Sequence, residues 1–236
     1  MPEPPQLAPA FLFSPQPSNP DFRFTCKVPQ ELCLTHLHSK GMVLEPNPNF
    51  LSLDRFNTFL ETVEPLRDQI KAFIFEFEYL NKDKMPSLKA FIDKIGEFMT
   101  KAPAGLPYAI EPRNLHYIRK EYFKFIQSAN LIHVLSEKLY MPHITQVYDE
   151  FKSYFGDTVV IRLLGGNRKE IEAKTGNKWD KIVDPKRELA SIVQMVGEMV
   201  KTRTVVVSVN NHYEGSAPLT IENIKMNLSS YSQGTK

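Results

Sequence analysis

Six polar residues stand at or just beyond the ends of predicted strands: Lys27, Glu111, Arg113, Arg162, Asn210 and Asn211. Two arginines and a lysine supply positive charge, and the planar fork of arginine suits a carboxylate or a phosphate. One carboxylate among cations can serve as a general acid or base, so Glu111 is the candidate catalytic residue. The asparagines add neutral donors and acceptors. Glu111 and Arg113 share strand parity, so both can point the same way. The set describes an anion pocket with Lys27, Arg113, Arg162, Asn210 and Asn211 as ligand-binding residues. The competing readings are structural. Glu111 and Arg113 can form an ion pair that only holds geometry. Asn210 and Asn211 can tie a turn.

Other reactive residues carry weaker signals. His36 and His38 alternate in a loop, and His116, His133, His143 and His212 are scattered. None makes a His-x-x-x-His pair, so no metal ligands are assigned. Glu76 and Glu78 follow a strand and are read as a solvated strand end. Cys33 and His36 lack a third group to orient them as a nucleophile and base. Gly165-Gly166-Asn167-Arg168-Lys169 is a Gly-basic loop that could touch an anion, and no phosphate-binding glycine motif is present.

Alternation of strands and helices positions these residues. Strands are expected at Phe22–Val28, Phe73–Phe77, Tyr108–Glu111, Leu131–Ser136, Thr158–Leu164 and Thr204–Val209. Helices are expected over 53–68 after Ser52, over 88–98 after Ser87, over 115–126 and over 142–155. Two more run from Pro185 to Lys201 and from Pro218 to Leu228. Residues 165–184 read as an irregular polar loop. Six strands separated by helices imply a parallel sheet, and such sheets place ligands at the carboxyl ends of their strands.

The composition narrows the setting. A net charge of +2 argues against histone-like nucleic-acid binding and leaves a local basic patch open. Two cysteines, Cys26 and Cys33, are too few for a disulfide framework, so a reducing cytoplasm is expected. No apolar run reaches the ~18 residues of a membrane span, and no secretory signal opens the chain. Seven of the 18 prolines fall in the first twenty residues, which are therefore read as an extended arm. The expected organisation is that arm (1–20), one domain (21–229) and a flexible tail (230–236).

From Asp21 to about Ile224 the chain resembles the YecE-like family, also called domain of unknown function 72, a family of TIM-barrel proteins. "DFRFTCKVPQELCLTH" resembles a segment with Lys-x-Pro and Thr-His, and it gives Lys27, Pro29 and His36. "YAIEPRN" resembles a Glu-x-Arg strand end, giving Glu111 and Arg113. "VVIRLLGG" resembles an Arg-Leu-His-Gly segment, with Leu164 in the histidine's place. "VVVSVNNHYEGSAP" resembles an Asn-Asn and Gly-x-Ala-Pro closing strand, giving Asn210 and Asn211. The resemblance adds His36 to the expected ligand-binding residues. The family's first two strand units have no counterpart here, and "FEFEYLN" replaces a Gln-Leu-Pro-Pro segment. The expected fold class is therefore α/β, a TIM-barrel-like parallel sheet that is incomplete at about six strands.

Three function classes stay open. The first is an anion-binding barrel that hydrolyses or cleaves a phosphorylated or nucleotide-like substrate. The second is a nucleic-acid-binding or metal-dependent phosphodiesterase-like barrel. The third is a non-catalytic interaction module. No cofactor is specified, no membrane partner is expected, and an open barrel would invite oligomerisation through its edges.

Overall fold

The structure, a computed structural model, describes residues 21–37 and 45–233. The expected arm, His38 and the last three residues of the expected tail lie outside the described residues. Six strands form one parallel sheet in chain order: β1 (Phe24–Lys27), β2 (Ile70–Glu76), β3 (Tyr108–Glu111), β4 (Ile132–Lys138), β5 (Thr158–Gly165) and β6 (Thr204–Val209). Seven helices accompany them among the described residues: α1 (Leu53–Val63), α2 (Leu88–Met99), α3 (Lys120–Ser128), α4 (Ile144–Phe151), α5 (Arg168–Thr175), α6 (Leu189–Met199) and α7 (Ala217–Gln233). A parallel sheet whose strands follow chain order, with helical crossovers, is the arrangement of a TIM barrel. Here it is an incomplete TIM-like barrel, because β1 and β6 each pair on one side only among the described residues.

Local sequence explains the elements. The Ser52 hydroxyl accepts from the Arg55 amide at 3.4 Å and caps α1, and the Ser87 hydroxyl accepts from the Ala90 amide at 3.1 Å and caps α2. Alternate residues of each strand then face two different layers. Between sheet and helices lies an aromatic core in which Phe56, Phe75, Phe98 and Tyr108 pack ring against ring. On the other face Ala72, Ile74, Ala109, Val134 and Val160 form a buried layer of aliphatic residues. Two residues further along each strand the same face presents Glu76, Glu111, Ser136 and Arg162. The period of two carries an apolar floor into a polar mouth.

Several boundaries depart from the sequence-based expectation, and three of the departures can be traced to local sequence or tertiary bonds. The loop 165–184 contains α5. The Asn167 side chain accepts from the Lys169 amide at 3.1 Å, Arg168–Glu172 and Glu170–Lys174 pair at one-turn spacing, and Gly176 closes the helix at φ 57°. The helix expected from Leu115 begins at Lys120, after a 3-10 turn, because both ends of the Asn114 amide are bonded to Leu80 (2.9 and 2.7 Å) and cannot cap. The helix expected from Pro185 begins at Leu189. Tertiary bonds hold the preceding segment out of it: Val183 and Asp184 amides donate to the Glu214 carbonyl, and the Lys186 amide donates to the Glu214 carboxylate at 2.7 Å. The last helix continues past Leu228 to Gln233, so the first residues of the expected tail are helical.

Candidate functional site

The carboxyl ends of β1, β2, β3 and β5 converge on a network of two carboxylates and three cations. Glu76 and Glu111 are registered neighbours on β2 and β3. Like charges set side by side repel, so this register needs counter-charge. Arg113 supplies it through one nitrogen, Nη2, which lies 2.7 Å from Glu111 Oε1 and 3.1 Å from Glu76 Oε1. Arg162 reaches over from β5, with Nη1 donating to Glu76 Oε2 at 2.6 Å and to Glu111 Oε2. The Ser136 hydroxyl at the end of β4 donates to Glu111 Oε1 at 2.7 Å, and Lys27 Nζ lies 2.9 Å from Glu76 Oε2.

Burial grades the members of the network. Glu111 is fully enclosed, whereas the Glu76 side chain is 26% exposed and Lys27 is 53% exposed. Burial alone would raise the Glu76 carboxyl. Hydrogen bonds from Arg162 and Lys27 and the charge of Arg113 outweigh it and hold the group at about 2. Burial would likewise favour neutral Arg162, and the two carboxylates reverse that, so its pKa rises.

Above the network opens a cleft of about 850 Å³. Lys27, Glu76, Arg113 and Lys138 form its polar wall. Lys138 makes no ion pair among the described residues. Burial first, and then the charge of Arg113, push its ammonium below the ordinary range. The Nη1 atom of Arg113 is enclosed in the wall and has no hydrogen-bond partner. At the rim, Tyr79 is 63% exposed and Tyr140 is 86% exposed. Tyr140 sits at φ 68°, a left-handed conformation uncommon for a bulky residue, of the sort that concentrates at functional sites. Glu78, also in the lining, pairs with Lys84 and accepts from Thr35 at 3.5 Å.

The structure thus brings Lys27, Glu111, Arg113 and Arg162 together. The other expected residues lie elsewhere. The Asn210 side-chain oxygen Oδ1 accepts from the His212 amide at 2.9 Å and faces its ring nitrogen at 2.7 Å. Asn211 accepts from the Ala217 amide at 2.9 Å at the start of α7. His36 bonds its neighbour Thr35 at 3.0 Å and bridges to Pro46. All three tie loops. Glu76, read from the sequence as a solvated strand end, is instead bonded to three cations. Cys33 is buried, which pushes its thiol up and disfavours a thiolate. Among the described residues, no three His, Cys, Asp or Glu are grouped to hold a metal ion.

Sequence reading missed Ser136, Lys138 and the two tyrosines as members of this site. The signal for two of them was the strand period. Val134, Ser136 and Lys138 alternate on one face, but β4 runs two residues beyond its expected end. Tyr140 carries no such signal, because its placement depends on the turn that follows.

An in-order parallel α/β sheet with a polar mouth at its carboxyl ends is the class of TIM-like barrel proteins. The sequence profile of the family described as protein of unknown function DUF72 matches residues 16–235, and the chain belongs to that family. Two solved structures are similar to it. A DUF72 family protein from Thermotoga maritima MSB8 is 19% identical, with a TM-score of 0.61, over 90% of this chain and 75% of that one. A DUF72 family protein from Enterococcus faecalis V583 is 20% identical, with a TM-score of 0.59, over 88% of this chain and 78% of that one. At these identities the likeness shows the fold alone. No curated protein matches the chain.

Proposed function

We propose that the cleft binds a small phosphorylated ligand of nucleotide type. One observation carries the reading: Lys27, Arg113 and Lys138 wall a single cleft in which Glu76 pairs with the first two and Lys138 has no ion pair among the described residues. With Arg162 behind them, and with Glu78 neutralised by Lys84, four cations face two carboxylates. The surplus of two positive charges favours a phosphate-sized anion. Lys138 is the cation left free to move onto it. Tyr79 and Tyr140 at the rim offer flat apolar surface for a base, and stacking on such a ring contributes about 1–3 kcal/mol.

The same geometry assigns Glu111 a positioning role. Three donors occupy its two oxygens, and it does not line the cleft. It fixes the arginines. The carboxylate of the network that lines the cleft is Glu76, and a group held at about 2 is a weak base. Binding is therefore supported more directly than hydrolysis or cleavage. Exposed tyrosines beside cations also favour, as a second reading, a short single strand of nucleic acid, which uses the same stacking.

Calorimetric titration separates the outcomes. A nucleoside monophosphate should bind more tightly than inorganic phosphate, and an unphosphorylated nucleoside should bind more weakly than either. Tyr140→Ala should erase the difference between the nucleotide and phosphate. Tighter binding by an oligonucleotide than by the mononucleotide would favour the second reading. No binding of any of them at millimolar concentration contradicts both.

A further inference from the structure

A second cleft, of about 290 Å³, lies on the far side of the segment 138–141, which also walls the first. It is built from the end of β4, the Gly165-Gly166 turn after β5, the start of α6 and the segment after β6. Glu137, Glu188, Lys186 and Tyr213 provide its polar groups. The Tyr213 ring is 1% exposed and its hydroxyl has no hydrogen-bond partner. A buried hydroxyl left unpaired is costly, so such a group calls for an explanation. Burial and the charges of Glu137, Glu214 and Glu188 all push this hydroxyl up, and Glu137 and Glu188 line the cleft with it. Nearby, the enclosed Nε2 of His143 also lacks a partner, 3.8 Å from Glu137 Oε2.

The charges in this cleft are unbalanced. Glu137 accepts one bond, from the Ile144 amide at 3.1 Å. Burial raises its carboxyl above the ordinary range; the Ile144 bond and the charge of His143 oppose the rise, and the charge of Glu188 adds to it. Lys186, which also lines the cleft, is engaged with Asp184. Lys138 touches both clefts, and the charges that act on it are Arg113, Glu76, Glu111 and Arg162, those of the first. Glu137, Glu188 and the Tyr213 hydroxyl therefore line one cleft in which, among the described residues, neither lysine of the lining pairs with either carboxylate.

We propose that this second cleft is a subsite for a primary ammonium group, with Glu137, Glu188 and Tyr213 as its three acceptors. An ammonium carries three N–H donors and one positive charge, which match three oxygens and the local negative charge. An anion would meet two like charges there. The subsite is independent of the anion reading, since it shares only the wall between the clefts. A ligand carrying both phosphate and amine could span them.

The probe is 1,4-diaminobutane, with tetramethylammonium as a control of the same charge type that lacks N–H donors. Titration followed by calorimetry or ligand-observed NMR should show the diamine binding and the control binding at least tenfold more weakly. Tyr213→Phe keeps the buried ring and removes the acceptor. Both it and Glu188→Gln should weaken the diamine about tenfold, and Arg113→Ala should leave it unchanged. The proposal is overturned if the diamine does not bind at millimolar concentration, if tetramethylammonium binds equally well, or if Tyr213→Phe binds as the wild type does. Should Glu188→Gln fail to fold, Tyr213→Phe decides.

Discussion

Glu76 and Glu111 stand side by side on adjacent parallel strands, and the same nitrogen of Arg113 holds one oxygen of each. That relationship makes the carboxyl end of the sheet a fixed platform. Two like charges in register would push β2 and β3 apart. Bridged by Arg113 and by Arg162, they instead tie β2, β3 and β5 into one mouth.

Removing the inner carboxylate should therefore cost more than removing the outer one. Glu111→Gln leaves two largely buried guanidinium groups short of charge, and breaking such a pair costs about 3–5 kcal/mol. Glu76→Gln acts at a partly exposed group and should cost less than half of that. Urea unfolding of both variants checks the order, and equal losses would show that the network is not graded by burial.

The acid limb of stability should have two steps. His133 is fully buried beside the Tyr122 hydroxyl at 3.0 Å, and burial lowers it from 6.5 to about 3. The unfolded chain protonates first, so stability falls as pH drops from 6.5 towards 3. Glu76 is depressed from 4.5 to about 2, so its contribution is complete above 4.5 and is lost as pH falls towards 2. His133→Gln should flatten the urea midpoint between pH 6.5 and 4.5 and leave the lower step. An unchanged upper step would assign it to another group.

The turn after β5 depends on glycine. Gly165 has φ 82°, and a Cβ there would lie 2.2 Å from the His212 carbonyl oxygen. Gly165→Ala should destabilise the protein by about 3 kcal/mol or more, since backbone strain and a clash with main chain add. Thermal unfolding tests this. A loss within the error of measurement would mean the His212 turn moves freely.

Much of this arrangement is legible in the sequence, and the part that is not has a physical cause. Strand parity and the ordered family motifs place Lys27, Glu111, Arg113 and Arg162 at one mouth. Parity does not say which carboxylate will be enclosed, because that depends on how far Arg162 reaches across from β5. It also does not separate Asn210, just past the end of β6, from the residues that meet. The Asn210 side chain is taken by the His212 turn, and that ring packs on Trp179 from a distant loop. Helix α5 shows the reverse case: its asparagine cap, paired charges and closing glycine are all present in a segment read as irregular.

Lys138→Met should separate binding from stability. The side chain has no ion pair to lose among the described residues, so the urea midpoint should stay within about 0.5 kcal/mol of wild type. Affinity for a nucleoside monophosphate should fall roughly tenfold, as loss of one charged hydrogen bond implies. A normal affinity would exclude Lys138 from the site.

The most direct test of the account is a crystal structure of the protein soaked with a nucleoside monophosphate at saturating concentration. The predicted result is a phosphoryl group at about 3 Å from Lys138 Nζ and the Arg113 guanidinium, with the base against Tyr140 or Tyr79 and Glu111 still bonded to both arginines. A phosphoryl group bound elsewhere, or a cleft that stays empty at saturation, would contradict it.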